Sequence, residues 1–186
     1  MNKSHFRKKY KALRASLSEE EIEDSSLHIS NLTLELPIWD HTVFHLFMPM
    51  VSKKEVNTEY ILHILQGRDK TVLIPKSNFE SGEMKHILLQ DNTAFITSSY
   101  GIVEPVDGIS MVPDQIDVVF VPLLAFGSNG HRIGYGKGFY DRFLAQCSPK
   151  CLFIGLSFFE SEELQDISLV DVPLHFCITP KKIYTF

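Results

Sequence analysis

The alternation of hydrophobic and polar positions along the chain predicts β-strands separated by helices. Short runs rich in β-branched and aromatic residues recur, and such runs are typical of strands. The run DVVFVP is apolar on both faces, as expected for a central strand of a parallel sheet. The predicted strands lie at residues 42–48, 71–75, 83–89, 117–122, 151–157 and 175–179.

Amphipathic stretches and capping signals predict four helices. Ser18 and Glu21 form the S-x-x-E pattern of a capping box, which marks the start of the second helix. Gly67 is expected to end the third helix in the left-handed conformation. The first two helices are expected to lie antiparallel to each other. The helices are expected at about residues 2–15, from residue 18 onward, at 57–66 and at 137–147.

The length and composition of the chain indicate one domain. A chain of 186 residues that is 44% hydrophobic and 22% charged can bury one core but is too short for two. Alternating strands and helices therefore predict an α/β fold, a single three-layer domain over residues 1–186 with a mostly parallel central sheet flanked by helices. The non-periodic segment 100–113 is expected to form a pocket wall, because long ordered loops are usually functional.

Charge and cysteine content disfavour several classes of protein. The net charge of −5 argues against a general nucleic-acid binder, although the first 14 residues are basic. Cys147, Cys151 and Cys177 have no C-x-x-C spacing, which predicts reduced thiols rather than a disulfide framework or a zinc site. The longest apolar run, residues 118–126, is too short to span a membrane. We therefore expect a cytoplasmic protein without membrane or nucleic-acid partners.

The run GHRIGYGKGFYD at residues 130–141 carries the strongest functional signal. Its alternate glycines are free to take positive φ, so that backbone N–H groups can converge on an oxyanion such as phosphate. Arg132 and Lys137 would place two cations on the bound charge. Asp141, at the predicted start of a helix, is well placed to hold Mg²⁺. The run therefore predicts a phosphate-binding loop.

The loop belongs to neither of the common phosphate-binding motifs. A Walker A motif requires glycine where His131 stands, and a dinucleotide fingerprint requires glycine where Phe139 stands. The eight histidines show no metal-binding spacing, so they are expected to be surface or core residues.

Motifs spread over nearly the whole chain resemble those of one enzyme family. They are Lys3 and Arg7 in a K-x-x-x-R pattern, the E-V-x-T run at 55–58, the G-x-x-E-P run at 101–105, the run VPLLAFGSNGHRIGYGKGFYDRFL at 121–144, and Asp171. In this order they resemble 5-formyltetrahydrofolate cyclo-ligases, also called methenyltetrahydrofolate synthetases. The resemblance implies ATP-dependent conversion of 5-formyltetrahydrofolate to 5,10-methenyltetrahydrofolate, with ADP and phosphate as products and Mg²⁺ required.

The resemblance also implies a role for individual residues. Arg132 and Lys137 would be catalytic. The ATP-binding residues would be Lys3, Arg7, Arg132, Ile133, Gly134, Tyr135, Gly136, Lys137, Gly138, Phe139 and Tyr140. The folate-binding residues would be Met50, Glu55, Tyr100, Tyr135, Gly136, Lys137, Gly138 and Phe139, and the metal ligands would be Asp141 and Asp171.

Within the folate site the implied contacts follow the chemistry of the pterin ring. Glu55 would accept hydrogen bonds from its donor edge, and Tyr100 would offer a flat stacking partner. A methionine would add apolar contact, and either Met48 or Met50 could supply it. A monomer is expected.

Three other interpretations remain open at this point. A phosphosugar isomerase or an acyl-CoA transferase of similar architecture would also use a glycine-rich loop on an anion. A catalytically idle nucleotide- or folate-binding protein is possible, because Val170 and His175 stand where the family often has a histidine and an acid. An RNA-binding module using the basic first helix is disfavoured by the acidic net charge.

Overall fold

A computed structural model of the protein describes residues 2–164 and 170–186. The strands are β1 (Val43–His45), β2 (Thr71–Ser77), β3 (Met84–Leu88), β4 (Phe95–Thr97), β5 (Val103–Pro105), β6 (Ser110–Met111), β7 (Val118–Pro122), β8 (Ala125–Phe126), β9 (Arg132–Ile133), β10 (Leu152–Leu156), β11 (Phe176–Ile178) and β12 (Ile183–Thr185). The helices are α1 (Lys3–Ala15), α2 (Glu19–Thr33), α3 (Glu59–Gly67) and α4 (Phe139–Leu144), and short 3-10 turns lie at Val51–Lys53 and Pro113–Gln115.

An eight-stranded sheet forms the centre of the fold, in the order β12-β11-β10-β7-β1-β2-β3-β6. The five inner strands from β11 to β2 run parallel to their neighbours, and the outer strands β12, β3 and β6 pair antiparallel. Two short strand pairs, β4–β5 and β8–β9, stand outside this sheet. The prediction of a mostly parallel central sheet is confirmed.

Helices cover both faces of the sheet and bury its apolar residues. Ile29 of α2 and Leu65 of α3 pack in one core cluster with Phe120 of β7. On the opposite face, Phe143 of α4 packs in a second cluster with Val119 of β7. Because neighbouring residues of a strand point to opposite faces, β7 contributes to both clusters. The predicted arrangement of a sheet between helical layers is therefore confirmed.

Local sequence signals predicted the ends of some helices and strands correctly but missed others. The capping box at Ser18 and Glu21 is present at the start of α2. Helix α3 ends at Gly67 as predicted, but Gly67 is not left-handed; the residue with positive φ is Asp69, with φ 54°. The sequence also missed the short strands β8 and β9, and the glycine loop directly follows β9.

The carboxyl ends of the inner strands form one edge of the sheet, and this edge positions the site. The chain places β2 on one side of β1 and β7 on the other, so the direction of strand addition reverses at β1. In open α/β sheets a crevice for ligands forms outside the carboxyl ends of the strands at such a reversal. Within the described ranges, no helix has the length and apolar character that crossing a membrane would require.

Candidate active site

A cavity of about 290 Å³ opens at the carboxyl ends of β1, β2 and β7. Phe47, Ser77 and Pro122 line it at the points where these strands end. The cavity brings together residues that are far apart in the sequence, from the start of α1 to the C-terminal segment. The predicted site residues that line it are Lys3, Arg7, Met50, Glu55, Tyr100, Arg132, Gly134, Tyr135, Gly136, Lys137, Gly138, Phe139, Tyr140, Asp141 and Asp171.

Ile133 is the exception among the predicted site residues. It is 2% exposed and packs in a core cluster with Phe6 and Tyr10 of α1. Neighbouring residues of a strand face opposite ways, so Arg132 reaches the cavity while the side chain of Ile133 turns into the core. Its predicted contact with ATP is therefore not one that its side chain can make in this arrangement.

The glycine loop, residues 134–138, forms one wall of the cavity. Gly136 has φ 92° and Gly138 has φ 71°, a backbone conformation that residues with a Cβ rarely adopt. A Cβ on Gly136 would lie 3.2 Å from Arg7 Cζ, whereas a Cβ on Gly134 would meet nothing within 4 Å. Arg7 Nε donates a hydrogen bond to the Gly134 carbonyl at 3.0 Å. Helix α1 thereby places a cation directly against the loop.

Both predicted metal-binding carboxylates are paired with predicted phosphate-binding cations. Lys3 forms an ion pair with Asp171, and Arg132 Nη2 lies 2.7 Å from Asp141 Oδ1. Burial lowers the pKa of Arg132, and the carboxylates of Asp141 and Asp171 act in the opposite direction. The two aspartates therefore share the neighbourhood of one buried guanidinium, although they are far apart in the sequence.

The two carboxylates are suitable ligands for a hard divalent cation. In the part of the chain that the structure describes, no group of three or more His, Cys, Asp or Glu side chains could hold a metal ion. Mg²⁺ is usually bound by one or two carboxylates together with phosphate oxygens, rather than by a protein cage. Asp141 and Asp171, beside the glycine loop, match the carboxylate part of this donor set.

Glu55 is a buried carboxylate that lines the same cavity, 5% exposed. Its Oε2 accepts a hydrogen bond from the Met50 N–H at 2.8 Å, and its Oε1 accepts one from the Tyr135 hydroxyl at 2.7 Å. Burial raises the pKa of Glu55, whereas these hydrogen bonds and the guanidinium of Arg14 lower it. The carboxylate is thus held in a fixed orientation with remaining lone pairs available to a ligand.

Aromatic side chains form the rim of the cavity beside the glycine loop. The rings of Phe79 and Tyr100 stack with centroids 3.8 Å apart, and Phe79 meets Phe139 edge-on at 5.0 Å. Met48 and Met50 both line the cavity, so the choice that the sequence left open between them does not arise. The rim offers a flat apolar surface suited to a planar ring.

Several cavity residues carried no sequence signal of their own. Phe79 lies in a turn between β2 and β3, and its ring reaches the site only because those strands pair. Arg14 lies behind the cavity, and its position two helical turns after Arg7 on the same face of α1 could have indicated it. The other lining residues that the sequence did not single out are Phe47, Lys53, Pro75, Ser77, Met84, Ile102 and Pro122.

Known proteins similar to this chain share one description. Residues 1–171 match the model of the 5-formyltetrahydrofolate cyclo-ligase family. A 5-formyltetrahydrofolate cyclo-ligase of Mus musculus is 28% identical over 142 residues, which cover 73% of this chain and 69% of the relative. A Mycoplasma genitalium protein described in the same words is 54% identical over 46 residues, covering 25% of this chain and 28% of the relative.

A solved structure agrees with these sequence matches. The 5,10-methenyltetrahydrofolate synthetase of Aquifex aeolicus is 30% identical and superposes with a TM-score of 0.84, covering 100% of this chain and 93% of that protein. The likeness therefore extends over the sheet, its helices and the edge at which the cavity opens. With the family model matching nearly the whole chain, the protein belongs to the 5-formyltetrahydrofolate cyclo-ligase family.

Proposed function

We propose that this chain catalyses the ATP-dependent cyclisation of 5-formyltetrahydrofolate to 5,10-methenyltetrahydrofolate, with release of ADP and phosphate. The proposal rests on a single cavity that is lined by two unlike groups of residues. One group is the glycine loop with the cations beside it, and the other comprises the buried carboxylate of Glu55 and the aromatic rim. A nucleotide and a folate bound together in this cavity would lie against each other at the glycine loop.

The reaction requires activation of the formyl group. An N5-formyl amide is a poor electrophile, so N10 cannot close the ring while the oxygen remains a poor leaving group. In the proposed sequence, the formyl oxygen attacks the γ-phosphorus of ATP and ADP leaves. N10 then attacks the formyl carbon and loses its proton, and the carbon–oxygen bond breaks as phosphate departs with the original formyl oxygen. The product is the N5,N10-methenyl cation.

The residues at the glycine loop suit this phosphoryl transfer, and none of them needs to form a covalent bond to the phosphoryl group. Catalysis of phosphoryl transfer depends mainly on positioning and on stabilising charge that spreads over the phosphoryl oxygens. Lys137 and Arg132 are proposed to neutralise that charge, and Arg7, which lies against Gly134, is proposed to hold the phosphates with Lys3. The backbone N–H groups of the loop would complete the cradle.

The second group of cavity residues suits a pterin. Glu55 is proposed to accept hydrogen bonds from the ring's donor edge, and Tyr100 is proposed to stack on its face. Met48 and Met50 would contact its apolar edge. Since Tyr135 of the glycine loop contacts Glu55, the loop would hold the γ-phosphate close to the formyl oxygen of a folate bound there.

Asp141 and Asp171 are proposed to hold Mg²⁺. A metal ion at this place would neutralise part of the phosphate charge and fix the orientation of the nucleotide. The carboxylates would then bind the metal ion instead of Lys3 and Arg132, with which they pair in the absence of ligands. Lys3 and Arg132 would thereby become available to the phosphates.

Turnover separates this proposal from an idle binding protein. The protein should convert 5-formyltetrahydrofolate to a species with the absorbance of the methenyl product only when ATP and Mg²⁺ are both present, and one ADP should form for each product. An idle protein would bind both ligands in calorimetry and release no ADP. We also expect the protein to be cytoplasmic and monomeric. Gel filtration with light scattering would measure its oligomeric state.

A further inference from the structure

A buried hydrogen-bonded chain connects helix α1 to Glu55. Arg14 lies behind the cavity with a side chain that is 4% exposed. Its Nη1 donates to the Tyr135 hydroxyl at 2.8 Å, and that hydroxyl donates to Glu55 Oε1 at 2.7 Å. A guanidinium has only donors, so the hydroxyl accepts from Arg14 and its single proton is directed to Glu55. The direction of both hydrogen bonds is therefore fixed by Arg14.

Arg14 is itself held in place by the fold. Its Nη2 donates to the carbonyl of Leu123, in the segment that follows β7. Its Nη1 lies 4.0 Å from Glu55 Oε1, and both side chains are 4% exposed. At this burial the attraction between the two charges is screened much less than it would be on the surface. Arg14 is thus a fixed buried cation beside the carboxylate.

Arg14 favours the ionised form of Glu55, together with the hydrogen bonds from the Met50 N–H and the Tyr135 hydroxyl. Burial raises the pKa of Glu55, and apolar side chains such as Phe47 and Met48 share its cavity. The titratable and charged groups that face it from the surrounding elements are Arg14 of α1, Lys53 of the 3-10 turn, Tyr135 of the glycine loop and Tyr140 of α4. Lys53 is exposed to solvent and screened, whereas burial raises the pKa of both tyrosines and keeps them neutral.

We propose that Arg14 is a positioning residue that keeps Glu55 ionised and oriented towards a ligand with two adjacent N–H donors, of the kind that the pterin edge of a folate presents. Arg14 acts through Tyr135 and through its charge, without touching the ligand. This inference rests on the proposed function, which sets the pterin against Glu55. It predicts that loss of Arg14 weakens folate binding in a pH-dependent way and leaves nucleotide binding intact.

The test is titration calorimetry of Arg14→Met with 5-formyltetrahydrofolate and, separately, with MgATP at several pH values from 6 to 8. Without the guanidinium the pKa of Glu55 rises further, so the fraction of neutral carboxyl group grows as the pH is lowered. The folate Kd should rise about tenfold or more near pH 6, a loss typical of a hydrogen bond to a charged group. It should recover as the pH rises, while the ATP Kd stays within about twofold.

Three further variants serve as controls. Lys8→Met removes an exposed cation from the same helix and should leave both affinities at the wild-type values. Arg14→Lys keeps the charge but not the fork of donors, so it should restore most of the pH profile. Tyr135→Phe removes the connecting hydroxyl and should weaken folate binding while Arg14 remains. If thermal melting shows that Arg14→Met does not fold, the latter two variants decide the question.

The results that would overturn the inference are distinct from those that would overturn the proposed function. A folded Arg14→Met that loses folate and ATP affinity equally, or loses folate affinity equally at every pH, would refute the positioning role. So would unchanged folate affinity in Arg14→Met when Glu55→Gln weakens it. If the wild-type protein does not bind 5-formyltetrahydrofolate, or Glu55→Gln binds it normally, the assignment of Glu55 and this inference fail together.

Discussion

Gly136 combines two constraints at one position of the glycine loop. Its φ of 92° is strained for any residue with a Cβ, and a Cβ there would lie 3.2 Å from the Arg7 guanidinium. We expect Gly136→Val to abolish ATP binding measured by calorimetry, because the branched side chain would fill the space between the loop and Arg7. Gly134→Ala has neither constraint and should lose much less affinity. Undiminished ATP affinity in a folded Gly136→Val would show that the loop does not hold phosphate.

Lys137 lines the cavity with an exposed side chain, and it is proposed to stabilise the charge of a transferring phosphoryl group. Lys137→Ala should lower kcat by about a hundredfold or more, as expected for loss of a charge-stabilising group in phosphoryl transfer. The melting temperature should stay close to that of the wild type because the side chain is exposed. Near-normal turnover of 5-formyltetrahydrofolate by this variant would contradict its proposed role.

In the absence of ligands Asp141 pairs with Arg132 and Asp171 pairs with Lys3. Removing one carboxylate therefore also takes this partner from a cation. Asp141→Asn should raise the Mg²⁺ concentration needed for half-maximal activity, and high Mg²⁺ should restore part of the rate. Asp171→Asn should behave in the same way but more mildly. A metal titration with saturating ATP measures both effects. An unchanged Mg²⁺ requirement in both variants would remove the metal from these positions.

Single residues differ in how far the sequence can reveal their roles. The glycines and cations of the loop are adjacent in the chain, so their chemistry can be inferred from local spacing. Phe79 reaches the site through strand pairing, which no local pattern reports. Arg14 shares a helix face with Arg7, but its contact with Tyr135 depends on the docking of α1. Ile133 shows the opposite case, because its position inside a functional motif conceals that its side chain lies in the core.

Among the elements, β1, β3 and α4 bury two histidines beneath the site. The rings of His45 on β1 and His86 on β3 lie 5.1 Å apart, and His86 stacks on Phe143 of α4 at 4.0 Å. Both nitrogens of His45 and Nδ1 of His86 are buried without a hydrogen-bond partner among the described residues. Burial lowers the pKa of His45 well below its usual range and lowers that of His86 to about 4. Both rings are therefore neutral in the folded protein at neutral pH.

This pair predicts that the protein loses stability in weak acid. In the unfolded chain these histidines take up protons below their ordinary pKa of about 6.5. In the folded protein they take up protons only at much lower pH. Stability is therefore full above that ordinary pKa and falls as the pH is lowered. Taking the folded pKa of His86 as about 4, this one residue contributes a loss of about 2 kcal/mol between pH 7 and pH 5.

Urea unfolding at pH 7 and pH 5 measures this effect. His86→Phe keeps an aromatic ring against Phe143 and removes the titration, so the difference in unfolding free energy between the two pH values should shrink. The matched control is His63→Gln, on the exposed side of α3, which should keep the wild-type difference. An equal difference in wild type and His86→Phe would contradict the account of this cluster.

The elements were predictable where their patterns were long enough to show a period. The capping box at the start of α2 and the apolar strand β7 are local features, and both are present. The pair β8–β9 has two residues in each strand, which is too short for an alternating pattern to emerge. Helix α4 is also shorter than predicted. It begins only at Phe139, because Gly138 before it is left-handed, and it ends at Leu144.

For the whole molecule, the alternation of strands and helices was sufficient to predict the α/β class and the mostly parallel sheet. Strand order was not predictable in this way, since it depends on which edges meet in the folded chain. That order places β7 beside β1, and with it the glycine loop beside the segment that carries Glu55. The sequence thus predicts the two halves of the site, and the topology of the sheet brings them together.

The central claim is that the glycine loop holds ATP against the formyl oxygen so that this oxygen is phosphorylated before N10 closes the ring. The most direct measurement follows the formyl oxygen itself, using 5-formyltetrahydrofolate labelled with ¹⁸O at that atom, MgATP and the wild-type protein. Mass spectrometry of the released phosphate should find the label there, at one labelled phosphate for each methenyl product. Label found in water instead, with unlabelled phosphate, would contradict the account.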